Sequence, residues 1–103
     1  MQVIPCTEAQ LDVVSALFND YRIFYGQPSD LPGCRAFIQQ NLRQKRARIF
    51  LLLDDQGQAV AFSQLYPAVC SISMRPYYYL SDLYTQPSSR KSEIGRASCR
   101  ERV

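Results

Sequence analysis

Ile49-Phe50-Leu51-Leu52-Leu53-Asp54-Asp55-Gln56-Gly57-Gln58-Ala59-Val60-Ala61-Phe62 is the stretch on which the fold turns. Its first part, with Arg48 ahead of it, is continuous and apolar, as a strand buried on both faces would be. Asp54-Asp55-Gln56-Gly57 has the chemistry of a hairpin turn, with Gly57 able to take a positive φ. From Gln58 through Ser63-Gln64-Leu65-Tyr66 the pattern predicts a second strand, interrupted or ended by Pro67. Ala68 to Pro76 reads as a connection. Tyr77-Tyr78-Tyr79-Leu80-Ser81-Asp82-Leu83-Tyr84-Thr85 reads as an aromatic-rich strand, broken by Pro87-Ser88-Ser89. Consecutive strands of this kind make a meander.

Upstream of the meander the period changes. Leu11, Val14, Leu17, Phe18, Tyr21 and Tyr25 recur at helical spacing. Thr7 can cap that helix, Glu8 suits the positive end of its dipole, and Gly26 with Pro28 stops it. A short strand from Val3 to Pro5 precedes it. A weaker helix spans about Leu31 to Lys45, capped by Ser29 or Asp30, with Pro32 in its first turn and Phe37, Ile38 and Leu42 on one stripe. Its end is basic, with Arg43, Lys45, Arg46 and Arg48. Cations suit a helix C-terminus, so a solvated helix end is preferred to a phosphate site. The element order β-α-α-β-β-β gives an α+β, or mixed α/β, architecture.

Composition narrows the function classes. The 103 residues are 47% hydrophobic and 20% charged, values of one folded domain. No apolar run approaches the ~18 residues that a membrane helix needs, and the N-terminus lacks the pattern of a secretory signal. Twelve Lys and Arg against nine Asp and Glu give +3, too weak a balance to argue for nucleic acid. Histidine is absent, which removes imidazole bases, Ser-His triads and the usual zinc ligands. The four cysteines, Cys6, Cys34, Cys70 and Cys99, form no CxxC pair. No metal site is expected, and reduced thiols in a cytoplasmic protein are the better reading. Cys70 lacks the histidine or activating charge that a nucleophilic thiolate requires.

Ile49–Phe62 and its hairpin resemble the second and third strands of the GNAT superfamily of acetyl-CoA-dependent N-acetyltransferases. Gln64-Leu65-Tyr66-Pro67, followed by Ser71-Ile72-Ser73-Met74-Arg75, is similar to a bacterial branch of that superfamily, as is Tyr21-Arg22-Ile23-Phe24-Tyr25 in the first helix. Tyr79 to Lys91 resembles the fourth strand running into the cofactor loop. The family's signature there is Arg/Gln-x-x-Gly-x-Gly/Ala. Arg90 and Gly95 match it, while Glu93 stands where the first glycine belongs. A carboxylate there would repel the CoA diphosphate, which the loop binds through backbone N–H groups. Residues 93–103 also resemble a translated sequencing-library adapter. The expectation is therefore residues 1–92 as the N-terminal part of a GNAT domain, then a non-native tail, the alternative being a genuine polar tail.

The resemblance implies acetyl transfer from acetyl-CoA to a primary amine, on a small molecule or a protein, by direct attack in a ternary complex. It implies no metal, and a fragment that is itself inactive. Backbone groups near Leu83, Tyr84 and Thr85 would bind the pantetheine arm and the thioester carbonyl. Arg90, Lys91, Ser92 and Gly95 would belong to the cofactor loop. Asp82, an acidic residue in an otherwise apolar strand, would take the amine proton, or else accept hydrogen bonds structurally near a strand bulge, or form an ion pair that orients a cationic substrate. Tyr25, Tyr66 and Tyr79 would line the acceptor pocket, or else simply pack. Two other classes stay open: a non-catalytic GNAT-like binding or regulatory module, and a complete small α+β interaction domain ending at Val103.

Overall fold

The hairpin at Asp54 closes as its chemistry requires. In the computed structural model of the chain, which describes residues 1–87, the Asp54 carboxylate accepts the backbone N–H groups of Gln56 and Gln58, each at 2.9 Å. Gly57 takes φ +79°. The turn joins β2 (Arg48–Leu53) to β3 (Ala59–Cys70), which pairs in turn with β4 (Arg75–Thr85), while β1 (Gln2–Pro5) lies on the far side of β2. The sheet is antiparallel throughout, in the order β1-β2-β3-β4.

Of the caps visible in the sequence, one starts the second helix directly, while Thr7 acts one 3-10 turn ahead of the first helix rather than on the helix itself. Thr7 and Gln10 form a capping box around a 3-10 turn, Glu8–Gln10, that runs into α1 (Leu11–Phe24). The Asp30 carboxylate accepts the N–H of Gly33 at 3.0 Å and starts α2 (Leu31–Arg43). Ser29, the other candidate cap, instead accepts a hydrogen bond from Asn19. Gly26, at φ +88°, ends α1. The second helix stops sooner than the expected Lys45. Lys45 turns left-handed, at φ +53°, and the N–H of Arg46 reaches back to the carbonyl of Asn41 at 3.0 Å, an arrangement that closes a helix C-terminus.

Two strand expectations need correction. Pro67 does not end β3, which stays paired with β4 as far as Cys70 opposite Arg75. The β2 ladder stops at Arg48 opposite Leu65, so beyond that point β3 has one strand neighbour. Proline is tolerated there because the open side has no ladder to donate to. The expected connection from Ala68 to Pro76 shrinks to a turn at residues 71–74. Nor is β2 buried on both faces. Ile49 and Leu51 are buried with Val14, Leu17, Phe18, Ile38, Phe62 and Tyr84, on the side the helices cover. On the opposite side Phe50 and Leu52, with Val3, Leu65, Leu80 and Leu83, line an open apolar groove of about 360 Å³.

The basic end of α2 is exposed, as expected, and three of its four cations also have protein partners among the described residues. Arg43 pairs with Glu8 at 2.7 Å, Arg46 donates to Asn41, and the Arg48 guanidinium lies over the rings of Phe50 and Tyr78. One core group is left over. Ser15, 1% exposed, carries a buried hydroxyl with no partner among the described residues. An unpaired buried hydroxyl is unfavourable, and alanine is the better helix former. Ser15→Ala should therefore raise the unfolding free energy by about 1 kcal/mol, read as a later urea midpoint with an unchanged slope.

Candidate active site

A one-residue bulge positions the site. Gln64 stands opposite Asp82, but the next residue of β3, Leu65, stands opposite Leu80, leaving Ser81 as the extra residue of β4. A bulge of this kind re-aims side chains. Here it keeps Asp82 and Tyr79 of β4 with Gln64 and Tyr66 of β3 on the helix-covered side, while Leu65 and Leu80 line the groove opposite.

Asp82 is held from both sides. Its Oδ1 accepts the hydroxyl of Tyr21 from α1 at 2.9 Å, and its Oδ2 accepts Nε2 of Gln64 at 2.8 Å. Both donors are neutral, and no ion pair involving Asp82 occurs among the described residues. Burial, then the hydrogen bond to Asp82 and the negative charge there, push the Tyr21 hydroxyl up to about 12. Tyr21 therefore stays a proton donor across the neutral range. Behind Gln64 the bonding continues. Asn41 of α2 donates to Gln64 Oε1 at 2.8 Å, and Arg46 donates through Nε to Asn41 Oδ1 at 3.0 Å.

The three tyrosines proposed for the acceptor pocket meet this centre in different ways. Tyr66 lies 3.5 Å from Asn41 Nδ2 through its hydroxyl, with its ring 6.0 Å from that of Tyr79. Burial, with the charge of Asp82 adding to it, raises the Tyr66 hydroxyl above its ordinary value, although the Asn41 hydrogen bond opposes the shift. Tyr79 is 48% exposed, and Tyr25, 66% exposed, sets its ring edge-on to Tyr21 at 5.1 Å. Tyr25 thus reaches the carboxylate only through Tyr21, and Tyr79 stands beside Tyr66.

The expected cofactor residues divide. Leu83 lines the groove on the far face. Tyr84 is a core residue, its ring 6.1 Å from Tyr21, and Thr85 pairs with Ala61. All three belong to β4, which stands at one end of the strand order among the described residues. Arg90, Lys91, Ser92 and Gly95 lie outside the described residues. Cys70 sits at the far end of the β3–β4 ribbon, opposite Arg75. There, hydrogen bonds from the side chain and backbone of Ser73 and the backbone of Ile72 pull its thiol below the ordinary value. The sequence does not announce that shift, and the thiol is remote in register from Asp82. The described residues hold no group of three or more metal-ligating side chains, and none of their helices is long and apolar enough to cross a membrane.

Sequence reading missed Tyr21, Gln64 and Asn41 as members of the site. Two of them carry a signal. Gln64 alternates with Phe62 and Tyr66 on one strand face, and Asn41 follows Ile38 at helical spacing, so each is an amide at an inward position. Buried amides need partners, and Gln64 finds one of its own in Asp82.

No protein-family model matches the chain. It is 39% identical over 82 residues to the uncharacterized N-acetyltransferase YhfO of Bacillus subtilis, covering 80% of this chain and 54% of that protein. A probable acetyltransferase of Haemophilus influenzae is 26% identical over 94 residues, covering 91% of this chain and 64% of the relative. The chain thus spans between about half and two thirds of these curated relatives. Among solved structures, the crystal structure of a probable acetyltransferase superposes with a TM-score of 0.83 at 32% identity, covering 99% of this chain and 72% of that one.

Proposed function

The chain belongs to the GNAT family of acetyltransferases, and from that premise we propose that the protein it forms part of transfers acetyl from acetyl-CoA to a primary amine by direct attack in a ternary complex. One observation carries the reading. Asp82 is the carboxylate at the bulge of β4, fixed by two neutral donors and, among the described residues, in no ion pair. A carboxylate so placed is suited to taking a proton from a bound amine.

Acetyl-CoA supplies the acetyl group as an activated thioester. In the proposed reaction the neutral amine forms the C–N bond as the C–S bond breaks; its nitrogen gives one proton to Asp82, which passes it on to solvent, and the departing thiolate takes one proton from solvent. Positioning of the two reactants can contribute about 7–11 kcal/mol in favourable cases. Leu83, Tyr84 and Thr85 of β4 are the residues whose backbone the family resemblance assigns to the pantetheine arm. Tyr25, Tyr66 and Tyr79 would flank the amine's carrier, on a small molecule or a protein, and the cytoplasm is the proposed compartment.

The experiment is amine-dependent thiol release by the full-length protein, extended to the length of its relatives. The acceptors are propylamine, spermidine and a peptide with a free N-terminal alanine. Release above the amine-free rate with at least one acceptor is expected. A protein that binds acetyl-CoA yet releases no thiol with any of the three would overturn the reading in favour of a binding module.

The 103-residue chain itself should show no saturable binding of acetyl-CoA by calorimetry. Its sequence places Glu93 where the family loop has a glycine, and a carboxylate there opposes a diphosphate. A clean isotherm at micromolar acetyl-CoA would contradict this expectation.

A further inference from the structure

Asn41 and Gln64 are 1% and 0% exposed, two primary amides sunk between α2 and the sheet. Their hydrogen bonds run in one direction. The Arg46 guanidinium can only donate, so Asn41 turns its carbonyl oxygen toward Arg46 and its NH₂ toward Gln64. Gln64 must then offer its own oxygen to Asn41, which leaves its NH₂ for Asp82. A cation stands at one end and a carboxylate at the other, with every dipole between them aligned. In such chains each bond polarises the next. The orientation of both amides is therefore set by the charges at the ends, and neither can flip without leaving donor against donor.

We infer that Arg46, Asn41 and Gln64 form a positioning relay through which an exposed guanidinium at the end of α2 fixes the carboxylate of Asp82 for proton abstraction. None of the three needs to touch a substrate. The inference rests on the proposed role of Asp82 as base. It adds that the geometry of that base is set from the opposite side of the sheet–helix interface, by a residue five positions along the chain from Asn41.

Arg46 is the place to test it, because it is exposed and its loss leaves the buried amides in place. Arg46→Met keeps an unbranched stem against Phe37, over whose ring the guanidinium now lies, and removes the charge. In the full-length protein, the side-chain NH₂ resonances of Gln64 should shift in the variant, although Arg46 contacts Asn41 and not Gln64. With the fastest of the three amines named above, kcat should fall about tenfold, as for a modest misplacement of a catalytic group. KM for acetyl-CoA and for the amine should stay within about twofold. Arg46→Lys, which keeps a cationic donor, should recover part of both effects.

An unmoved Gln64 resonance overturns the relay. A moved resonance with unchanged kcat overturns its positioning role, and a rise in amine KM at constant kcat would make Arg46 a substrate contact instead. Failure of the underlying reading looks different: Asp82→Asn would then keep its rate.

Discussion

Asp82→Asn lowers kcat for amine acetylation by the full-length protein roughly a hundredfold or more, the usual scale for losing a positioned general base, while KM for acetyl-CoA stays near its original value. The substitution is nearly isosteric, and the surroundings can absorb it. The oxygen of the new amide can face Gln64, whose NH₂ is committed to donating by Asn41 behind it. The new NH₂ then faces the Tyr21 hydroxyl, which can accept as well as donate. The fold should therefore survive with an unchanged near-ultraviolet spectrum and a similar melting midpoint, so that the loss reports chemistry rather than collapse. The change should appear in kcat and kcat/KM together, the mark of an interaction made in the transition state. A rate within about threefold of the original would be too small for a general base. Asp82 would then be what the alternative reading made it, an acceptor that pins a bulge to α1.

The elements were legible where their causes are local. Thr7, Asp30, Gly26 and Gly57 each act within one turn of chain, through a side-chain cap or a positive φ, and each does so in the structure. The errors fall where the cause is distant. Whether Pro67 can stay in β3 depends on where β2 stops, and that is set by the register of another strand. Whether the apolar β2 is covered on one face or two depends on what packs over it, and both helices choose the side of Ile49 and Leu51. The site follows the same division. Asp82 stands out because a carboxylate is rare in an apolar strand. Tyr21, 61 positions away, reads as one more apolar residue on a helix stripe, since nothing local says that its hydroxyl ends on a carboxylate. The bulge at Ser81 hides the rest: counted without it, Tyr79 and Asp82 fall on opposite faces.

Phe62→Ala should cost about 3–5 kcal/mol of stability, the range for emptying a buried phenylalanine site. Phe62 is 1% exposed and sits where both aspects of the molecule meet. Its ring stands edge-on to Phe18 at 6.1 Å and to Tyr21 at 5.6 Å, and aromatic pairs of that geometry add about 0.5–1.5 kcal/mol beyond area burial. Set against a typical total of about 5–15 kcal/mol, the loss is a large fraction. Urea unfolding should show it as an earlier midpoint with little change in slope. The function should suffer through a separate route. Tyr21 is braced by Phe62 on the ring and by Asp82 on the hydroxyl, so an empty space beside the ring lets the hydroxyl wander from the carboxylate. Phe62→Leu, which fills most of that volume, should cost less than Phe62→Ala yet still remove the aromatic edge. If Tyr21 positions Asp82, Phe62→Leu and Tyr21→Phe should couple in a double-mutant cycle on kcat, because each loosens the same hydroxyl. Additive effects would mean that Phe62 serves packing alone and that Asp82 takes its orientation from Gln64.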